Sequence, residues 1–363
     1  MKIGVLTSGG DSPGMNAAVR AVVRFGIARG MKVYGIYRGY EGLIDGELEE
    51  LDRRAVGDIL QRGGTMLKTA RSERFMTEAG RRKAVTTIET FGLDAIVVIG
   101  GNGSFAGALE LSRLGVNVMC IPGTIDNDLG YTESTIGFDT AVNTVLDAIT
   151  RIRDTSSSHE RTTVVEVMGR HCGDIALYAG IAGGAEAVLL PEVDRDVNSV
   201  CRKIIEGCNQ GKQHSIIIKA EGYPMDSQEL VKEISERTGR SVRLVVLSYL
   251  QRGGSPTLQD RMLATRCGDK AIELLDAGLT NKAIGLVDGK VLGFKFERSV
   301  GGKPRSSTVI CTNTWMYSAG RRHPIGEYEN EPKKRLYYIP PSGERLSSTR
   351  NGLHSPWNAN VRH

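Results

Sequence analysis

Tryptophan occurs only twice in the 363 residues, histidine and cysteine six times each, and aromatic side chains make up 6% of the chain. The cysteines (Cys120, Cys172, Cys201, Cys208, Cys267 and Cys311) are scattered. None forms a CxxC pair or a His/Cys group with zinc spacing, so free thiols are expected. His159, His171 and His214 are isolated and suggest core or surface roles before catalysis. No stretch approaches the roughly 20 uninterrupted apolar residues of a membrane helix, and Met1-Lys2-Ile3-Gly4-Val5 begins a strand-like run, not a signal peptide. A cytoplasmic protein that does not enter the membrane is expected. The net charge of +5 is also unevenly placed: residues 294–363 hold 12 Lys/Arg against 5 Glu, which leaves 35 basic against 37 acidic residues elsewhere. That balance gives no reason to expect a nucleic-acid partner.

Glycine is what the chain has in excess, 45 residues against the ~7% of an average protein, and many tight turns or close ligand approaches follow. Up to about residue 290, short apolar runs alternate with segments of helical period: Lys2–Leu6 then Met15–Ala28, Ala95–Ile99 then Gly103–Leu114, Thr163–Val167 then Cys172–Ile181. Further strands are expected at Lys32–Tyr37, Val116–Ile121, Ser215–Ala220, Leu244–Tyr249 and Ala283–Val287. This alternation predicts an α/β protein with mostly parallel sheets, and the number of strands without a clear linker predicts two interleaved Rossmann-like α/β/α lobes. Residues 1–138 with 251–293 are expected to form one lobe and 139–250 the other. Residues 294–363 collect both tryptophans, six of the 11 prolines and three of the six histidines without sustained periodicity. They read as an irregular basic tail, such as a partner-binding extension or a non-native end would be, and carry no assigned function.

Four patterns could carry chemistry. The first is Thr7-Ser8-Gly9-Gly10-Asp11-Ser12-Pro13-Gly14-Met15-Asn16, which leaves a strand and opens a helix, so its glycines let backbone N–H groups approach an anion at the positive helix end. It lacks the lysine of a GxxxxGK[ST] loop. The second, Ile99-Gly100-Gly101-Asn102-Gly103-Ser104, stands between a strand and a helix in the same way. Its GxGxxA spacing suits a dinucleotide only with an acidic residue closing the next strand, where Cys120-Ile121-Pro122 stand instead. The third is Pro122-Gly123-Thr124-Ile125-Asp126-Asn127-Asp128. In an extended segment Thr124, Asp126 and Asp128 share a face, and one hydroxyl with two carboxylates suits proton abstraction beside magnesium; an Asx-rich turn would show the same letters. The fourth is a set of arginines near strand ends or in short loops, Arg71, Arg161, Arg170, Arg243 and Arg252, whose guanidinium groups can fork onto phosphate. Arg20 and Arg24, one helical turn apart, could meet a second anion or simply be solvated.

Together these stretches resemble the bacterial ATP-dependent 6-phosphofructokinase family: TSGGDSPGMNAAVR at 7–20, VVIGGNGS at 97–104, PGTIDND at 122–128, IRDTSSSHERTTVVEVMGRHCGD at 152–174, AGIAGGAE at 179–186 and QRGGSPTLQDR at 251–261. They follow in order over about four-fifths of the chain. The resemblance implies a homotetramer that transfers the ATP γ-phosphoryl group to the 1-hydroxyl of fructose 6-phosphate, with Mg2+ as cofactor. It implies Asp126 as general base, Thr124 as a catalytic and substrate contact, and Arg71 and Arg170 as charges that offset the transition state. ATP would lie on Gly10, Arg71, Ser72, Gly101, Asn102, Gly103 and Ser104, and the metal near Asn102 and Asp128. The sugar phosphate would meet Met168, Gly169, Arg170, Glu221, Tyr249 and Arg252, with Arg161 and Arg243 from a neighbouring subunit.

The family's effector site, for a nucleotide or phosphoenolpyruvate, would map to Arg20, Arg24, Arg53, Arg153, Gly184, Glu186 and Lys212, with Gln210 where a further lysine is usual. Gly103 and Gly123 replace the aspartate and lysine of the pyrophosphate-using branch, which favours ATP as donor. Two departures stand out: Asn102 replaces the family aspartate that serves magnesium, and Tyr249 replaces a histidine. With the tail they keep one alternative open, a regulatory paralogue that binds both ligands without turnover; a second, a kinase of another acceptor, stays open because the GGNGS stretch is similar to one in NAD and lipid kinases.

Overall fold

A computed structural model describes residues 1–193 and 196–296 of the chain. The elements run β1 (Lys2–Thr7), α1 (Met15–Ala28), β2 (Lys32–Ile36), α2 (Gly39–Asp45), β3 (Leu48–Glu50), α3 (Glu73–Met76), α4 (Glu78–Phe91), β4 (Ala95–Gly100), α5 (Asn102–Arg113), β5 (Val118–Pro122), α6 (Phe138–Ser158) and β6 (Thr162–Val167). They continue with α7 (Asp174–Ala182), β7 (Ala187–Leu189), α8 (Val197–Asn209), β8 (Ser215–Ala220), α9 (Ser227–Thr238), β9 (Val242–Val246), a 3-10 turn at Ser248–Arg252, α10 (Leu258–Asp276), β10 (Lys282–Val287) and β11 (Lys290–Lys295).

The strands make two sheets, ordered β11-β10-β5-β4-β1-β2-β3 and β7-β8-β6-β9. Every pairing is parallel except β2 with β3 and β10 with β11, which close the two edges of the larger sheet. The chain builds most of the larger sheet, leaves it after β5 to make the smaller one, and returns through α10 to add β10 and β11. This is the mostly parallel, interleaved α/β architecture that the sequence predicts.

The central strands are covered on both faces, which explains why they read as continuous apolar runs instead of alternating ones. On one face of the larger sheet Ile3, Val5, Val97 and Ile99 pack under α1 and α10; on the other, Leu6, Ile96 and Val98 pack with Phe105, Ala108 and Leu111 of α5. The helices after β1 and β4 therefore lie on opposite faces although the two strands are neighbours. Such a reversal opens a crevice at the carboxyl ends of the strands.

Three expectations are corrected. The strand expected over Leu244–Tyr249 is β9 at Val242–Val246, because Ser248 adopts a positive φ of 44° and the chain closes into the 3-10 turn. The tail expected from residue 294 begins later: Asp288 and Gly289, with φ of 50° and 72°, make a tight reversal that carries Phe294 and Lys295 back along β10. The strand over Val116–Ile121 starts at Val118. The remaining tail, 297–363, lies outside the described residues, as do Trp315, Trp357 and Cys311.

The starts of α6 and α10 cap each other. The buried Asp260 of α10 accepts the N–H groups of Gly137 and Thr140, each at 2.8 Å, and the Thr140 hydroxyl at 2.5 Å. In return the Thr257 hydroxyl donates to Asp139 Oδ2 at 2.6 Å and the Thr257 N–H to Thr140 Oγ1 at 3.1 Å. Asp260→Ala would leave three donors without a partner in a dry site, and an expected loss of about 2–4 kcal/mol of stability follows, to be read from urea unfolding.

Candidate active site

Three of the sequence motifs meet at the crevice. The loop after β1 runs beside the loop after β4, tied by the Ser8 N–H donating to the Ile99 carbonyl at 3.0 Å; the Gly123 N–H after β5 donates to the Gly100 carbonyl at 2.9 Å. They line a cavity of about 650 Å³ that contains Gly10, Arg71, Ser72, Gly101, Asn102, Gly103, Ser104, Thr124, Asp126, Asp128, Arg170 and Arg252. Helix α5 starts on this cavity with Gly101 as its N-cap and no side-chain bond there, so its first N–H groups are free to meet an anion. Gly10 leaves room for the guanidinium of Arg252, since a Cβ there would lie 2.4 Å from Nη1 and would have to displace the end of that side chain. That guanidinium, which donates to the Asp11 carbonyl at 3.1 Å, stands directly over the glycine-rich loop.

The 122–128 segment is not the regular extended strand that its i, i+2 pattern suggested. It bends at Ile125 and Asp126, and Asn127 takes a left-handed φ of 53°. The alternation survives because each inward residue has its own anchor: Ile125 is wholly buried against α6, while the Asn127 amide donates to Asp174 Oδ2 at 2.9 Å. Thr124, Asp126 and Asp128 are thereby left to the cavity.

Asp126 is the most perturbed of them. It is 2% exposed, its Oδ1 has no hydrogen-bond partner, and Arg170 Nε lies 3.3 Å from its Oδ2. Burial, then the Asp128 charge, push its pKa up to about 6, and Arg170 and Arg252 pull against them. Asp128 Oδ1 is likewise buried without a partner, and the Asn102 side-chain amide donates to the Asp128 carbonyl at 3.3 Å. Among the described residues no group of three or more His, Cys, Asp or Glu side chains forms a metal site. The orphaned Asp128 oxygen nonetheless fits one ligand position of a hard divalent cation whose other ligands are mainly phosphate oxygens and water.

The smaller sheet delivers Arg170 on the turn after β6. Gly169 (φ 138°) and Arg170 (φ 53°) fold it back, and their N–H groups donate to Glu221 Oε1 at 3.2 and 2.7 Å. The Met168 N–H donates to Oε1 of the fully buried Gln251 at 3.1 Å. Met168, Gly169 and Glu221 thus stand behind Arg170 and not on the cavity wall. Arg161 and Arg243 sit at the opposite end of the same sheet, before β6 and at the start of β9. Six residues of strand span about 20 Å, which separates them from Arg170 of their own chain.

Tyr249, expected among the acceptor contacts, is 78% exposed on the 3-10 turn and does not line the cavity; the turn that ends β9 early points it outward. Ser72 lines the cavity, but its hydroxyl is occupied: it donates to Glu41 and caps α3 by accepting the Phe75 N–H at 3.1 Å. A Cβ at Gly103 would meet nothing within 4 Å, whereas one at Gly123 would press on Ile99 and Met15, so the room for a nucleotide read from these glycines rests on Gly103.

Of the effector residues, Arg153 donates to the carbonyls of Gly183 and Gly184, at 2.6 and 3.1 Å, and Lys212 pairs with Glu186. Among the described residues no ion pair or hydrogen bond joins Arg20, Arg24 or Arg53 to that cluster. Sequence reasoning missed the stacked pair Tyr40 and Phe75, with ring centroids 4.1 Å apart, on the cavity wall. Neither lies in a glycine motif; the only trace is Gly107, whose missing side chain makes room for the Tyr40 ring.

Because the fold holds Asp126 at about 6 against an ordinary 3.8, the ionised form is disfavoured by about 3 kcal/mol at most. Asp126 therefore stabilises fully only below pH 4, and this is lost as pH rises through 6. Asp126→Asn is expected to raise stability by about 1–3 kcal/mol at pH 8 and to lose that advantage below pH 4, checked by denaturant unfolding across pH.

The phosphofructokinase family profile matches residues 2–275. An ATP-dependent 6-phosphofructokinase of Clostridium botulinum (strain Hall) is 55% identical over 298 residues, covering 82% of this chain and 93% of the relative. One from Clostridium acetobutylicum is 56% identical over 304 residues, covering 84% and 95%. Among solved structures, phosphofructokinase from Saccharomyces cerevisiae superposes with a TM-score of 0.79 at 33% identity, covering 87% of this chain and 50% of that one. A pyrophosphate-dependent phosphofructokinase from Marinobacter aquaeolei shares the fold, with a TM-score of 0.76 at 19% identity over 85% of this chain and 86% of its own. A family profile that covers the chain from β1 into α10, and curated relatives that match over more than nine-tenths of their own length, place this chain in the phosphofructokinase family.

Proposed function

We propose that the protein is an ATP-dependent 6-phosphofructokinase, which transfers the ATP γ-phosphoryl group to the 1-hydroxyl of fructose 6-phosphate. The observation that carries this reading is the buried, partly unpaired carboxylate of Asp126, held between the glycine-rich loops of the larger sheet and Arg170 of the smaller one. ATP lies along the first site half, its phosphates on the Gly10 loop and the free start of α5, with Arg71 at the exposed rim. Fructose 6-phosphate enters from the Arg170 side, so that residues 1–138 with 251–293 serve the nucleotide and 139–250 the acceptor.

Asp126 receives the proton of the 1-hydroxyl as the new O–P bond forms and the bond to the ADP oxygen breaks. A carboxyl near 6 is ionised at neutral pH yet more basic than an ordinary aspartate, which suits a general base. Arg170, and Arg252 above Gly10, offset charge on the transferring group. Asp128 and the Asn102 carbonyl oxygen would hold magnesium, which neutralises phosphate charge when it is bound with the nucleotide.

Arg161 and Arg243 lie at the end of the smaller sheet away from this site within one chain. A homotetramer in which a second copy lends them to the acceptor phosphate accounts for their placement, and the Arg153, Gly184, Glu186 and Lys212 cluster would likewise need Arg20, Arg24 and Arg53 of another copy to form an effector site. The name of the relatives and the open space at Gly103 favour ATP over pyrophosphate.

A coupled assay for fructose 1,6-bisphosphate with ATP or pyrophosphate tests the reading: turnover is expected with ATP, and silence from folded protein with both donors would refute it. The rate should fall on the acid side with a midpoint near pH 6, because the base must be unprotonated. Asp126→Asn is expected to lower kcat about 10²–10⁴-fold in the same assay. Asn102→Asp adds a charge beside Asp128 and should lower the magnesium concentration for half-maximal rate; an unchanged titration would remove Asn102 from the metal environment.

A further inference from the structure

Away from the cavity wall, the smaller sheet contains a charged group in its core. Lys219 of β8 is 2% exposed, and its ammonium lies 3.2 Å from Oε2 of Glu166 on the adjacent β6, its register partner. The same carboxylate oxygen accepts the hydroxyl of the buried Ser227, the first residue of α9. Both charged residues continue the face that bears Val164 and Ile217, an otherwise apolar layer under α8 and α9. The ammonium also reaches the Ala220 carbonyl at 3.5 Å.

The Glu166 side chain is 23% exposed and Lys219 is buried, and an ion pair at the margin of an apolar layer is a poor source of stability, since a well-packed apolar pair of similar volume is commonly as good or better. Its position offers another use. One residue after β6 ends comes the Met168-Gly169-Arg170 turn, and one residue after β8 ends stands Glu221, whose carboxylate takes the N–H groups of Gly169 and Arg170. Gly222 packs so closely that a Cβ there would be 2.0 Å from the Arg170 carbonyl. The 221–226 loop that makes these contacts is bracketed by Lys219 before it and Ser227 after it, and both bind Glu166.

We infer that the Glu166, Lys219 and Ser227 cluster is a positioning device for the acceptor half of the active site. It fixes the ends of β6 and β8 and the return of the loop into α9, so that Glu221 holds the 169–170 turn and Arg170 faces Asp126. Lys219 and Glu166 act through Arg170 and touch no substrate. The inference rests on the reading of the site as a 6-phosphofructokinase for its kinetic arm only.

The test compares the wild-type enzyme with the double variant Glu166→Leu/Lys219→Leu and with Ser227→Ala. The readouts are kcat, KM for fructose 6-phosphate, KM for ATP, Tm, and hydrogen exchange of peptides covering 167–173. For the double variant we expect a Tm near that of wild type, a rise of about tenfold in KM for fructose 6-phosphate, an ATP KM within about twofold, and faster exchange at 169–170. For Ser227→Ala the same pattern is expected with a rise of about two- to fivefold. A purely structural role would move Tm and leave the two KM values in proportion. A folded double variant with wild-type fructose 6-phosphate KM and wild-type exchange overturns the inference; should that variant not fold, the same result from Ser227→Ala does so. If the wild-type protein shows no turnover, the functional reading fails, and unchanged exchange at 169–170 alone still decides against the positioning role.

Discussion

A carboxylate held out of water with one oxygen unpaired is the costly feature on which the arrangement of this protein depends. Asp126 is tolerated because two cations from separate parts of the chain converge on it, Arg170 from the turn after β6 and Arg252 from the end of the 3-10 turn. Each cation in turn needs backbone that only its own surroundings can hold. Arg170 adopts a left-handed conformation secured by Glu221, and the Arg252 guanidinium rests in the space left by the missing side chain of Gly10. Stability is spent at the centre of the molecule to keep a base available there.

The two sheets divide this work by their topology. In the larger one, neighbouring strands β1 and β4 send their helices to opposite faces, and the crevice between them receives two glycine-rich loops and an uncapped helix start, all suited to anions. The smaller sheet delivers the Arg170 guanidinium from the end of β6, on a turn whose N–H groups are held by the Glu221 carboxylate from the end of β8. The junction between them is polar and specific: the reciprocal caps through Asp260 and Thr257 make the start of α6 depend on α10, and so fix the angle at which the chain leaves and re-enters the larger sheet.

Charge inside the smaller sheet follows the same logic. The Glu166 and Lys219 pair lies one step behind the residues that touch the site, where small shifts of strand ends translate into displacement of Arg170. An apolar pair would fill the layer equally well but would not direct three elements to a single oxygen atom.

Much of this was legible in the letters. Periodicity located β1, β4, β8 and α1 closely, because strands buried on both faces leave continuous apolar runs, and the three glycine and aspartate motifs marked the crevice because anion contact and tight reversal both demand glycine. The order of the motifs was enough to identify the family. Other elements escaped: β3 and β7 carry too few residues for a period, and β11, though six residues long, was overlooked with the Asp288-Gly289 reversal that makes it. The sequence by itself determined which residues can do chemistry, since a carboxylate, a guanidinium or a missing side chain is a property of the residue alone. Only the tertiary structure decided that Tyr40 and Phe75 wall the cavity, that Tyr249 turns away from it, that Arg161 and Arg243 stand at the far end of their sheet, and that Asp126 titrates near 6. Each of these depends on burial and on neighbours distant in the chain, and burial is created by packing, not by composition.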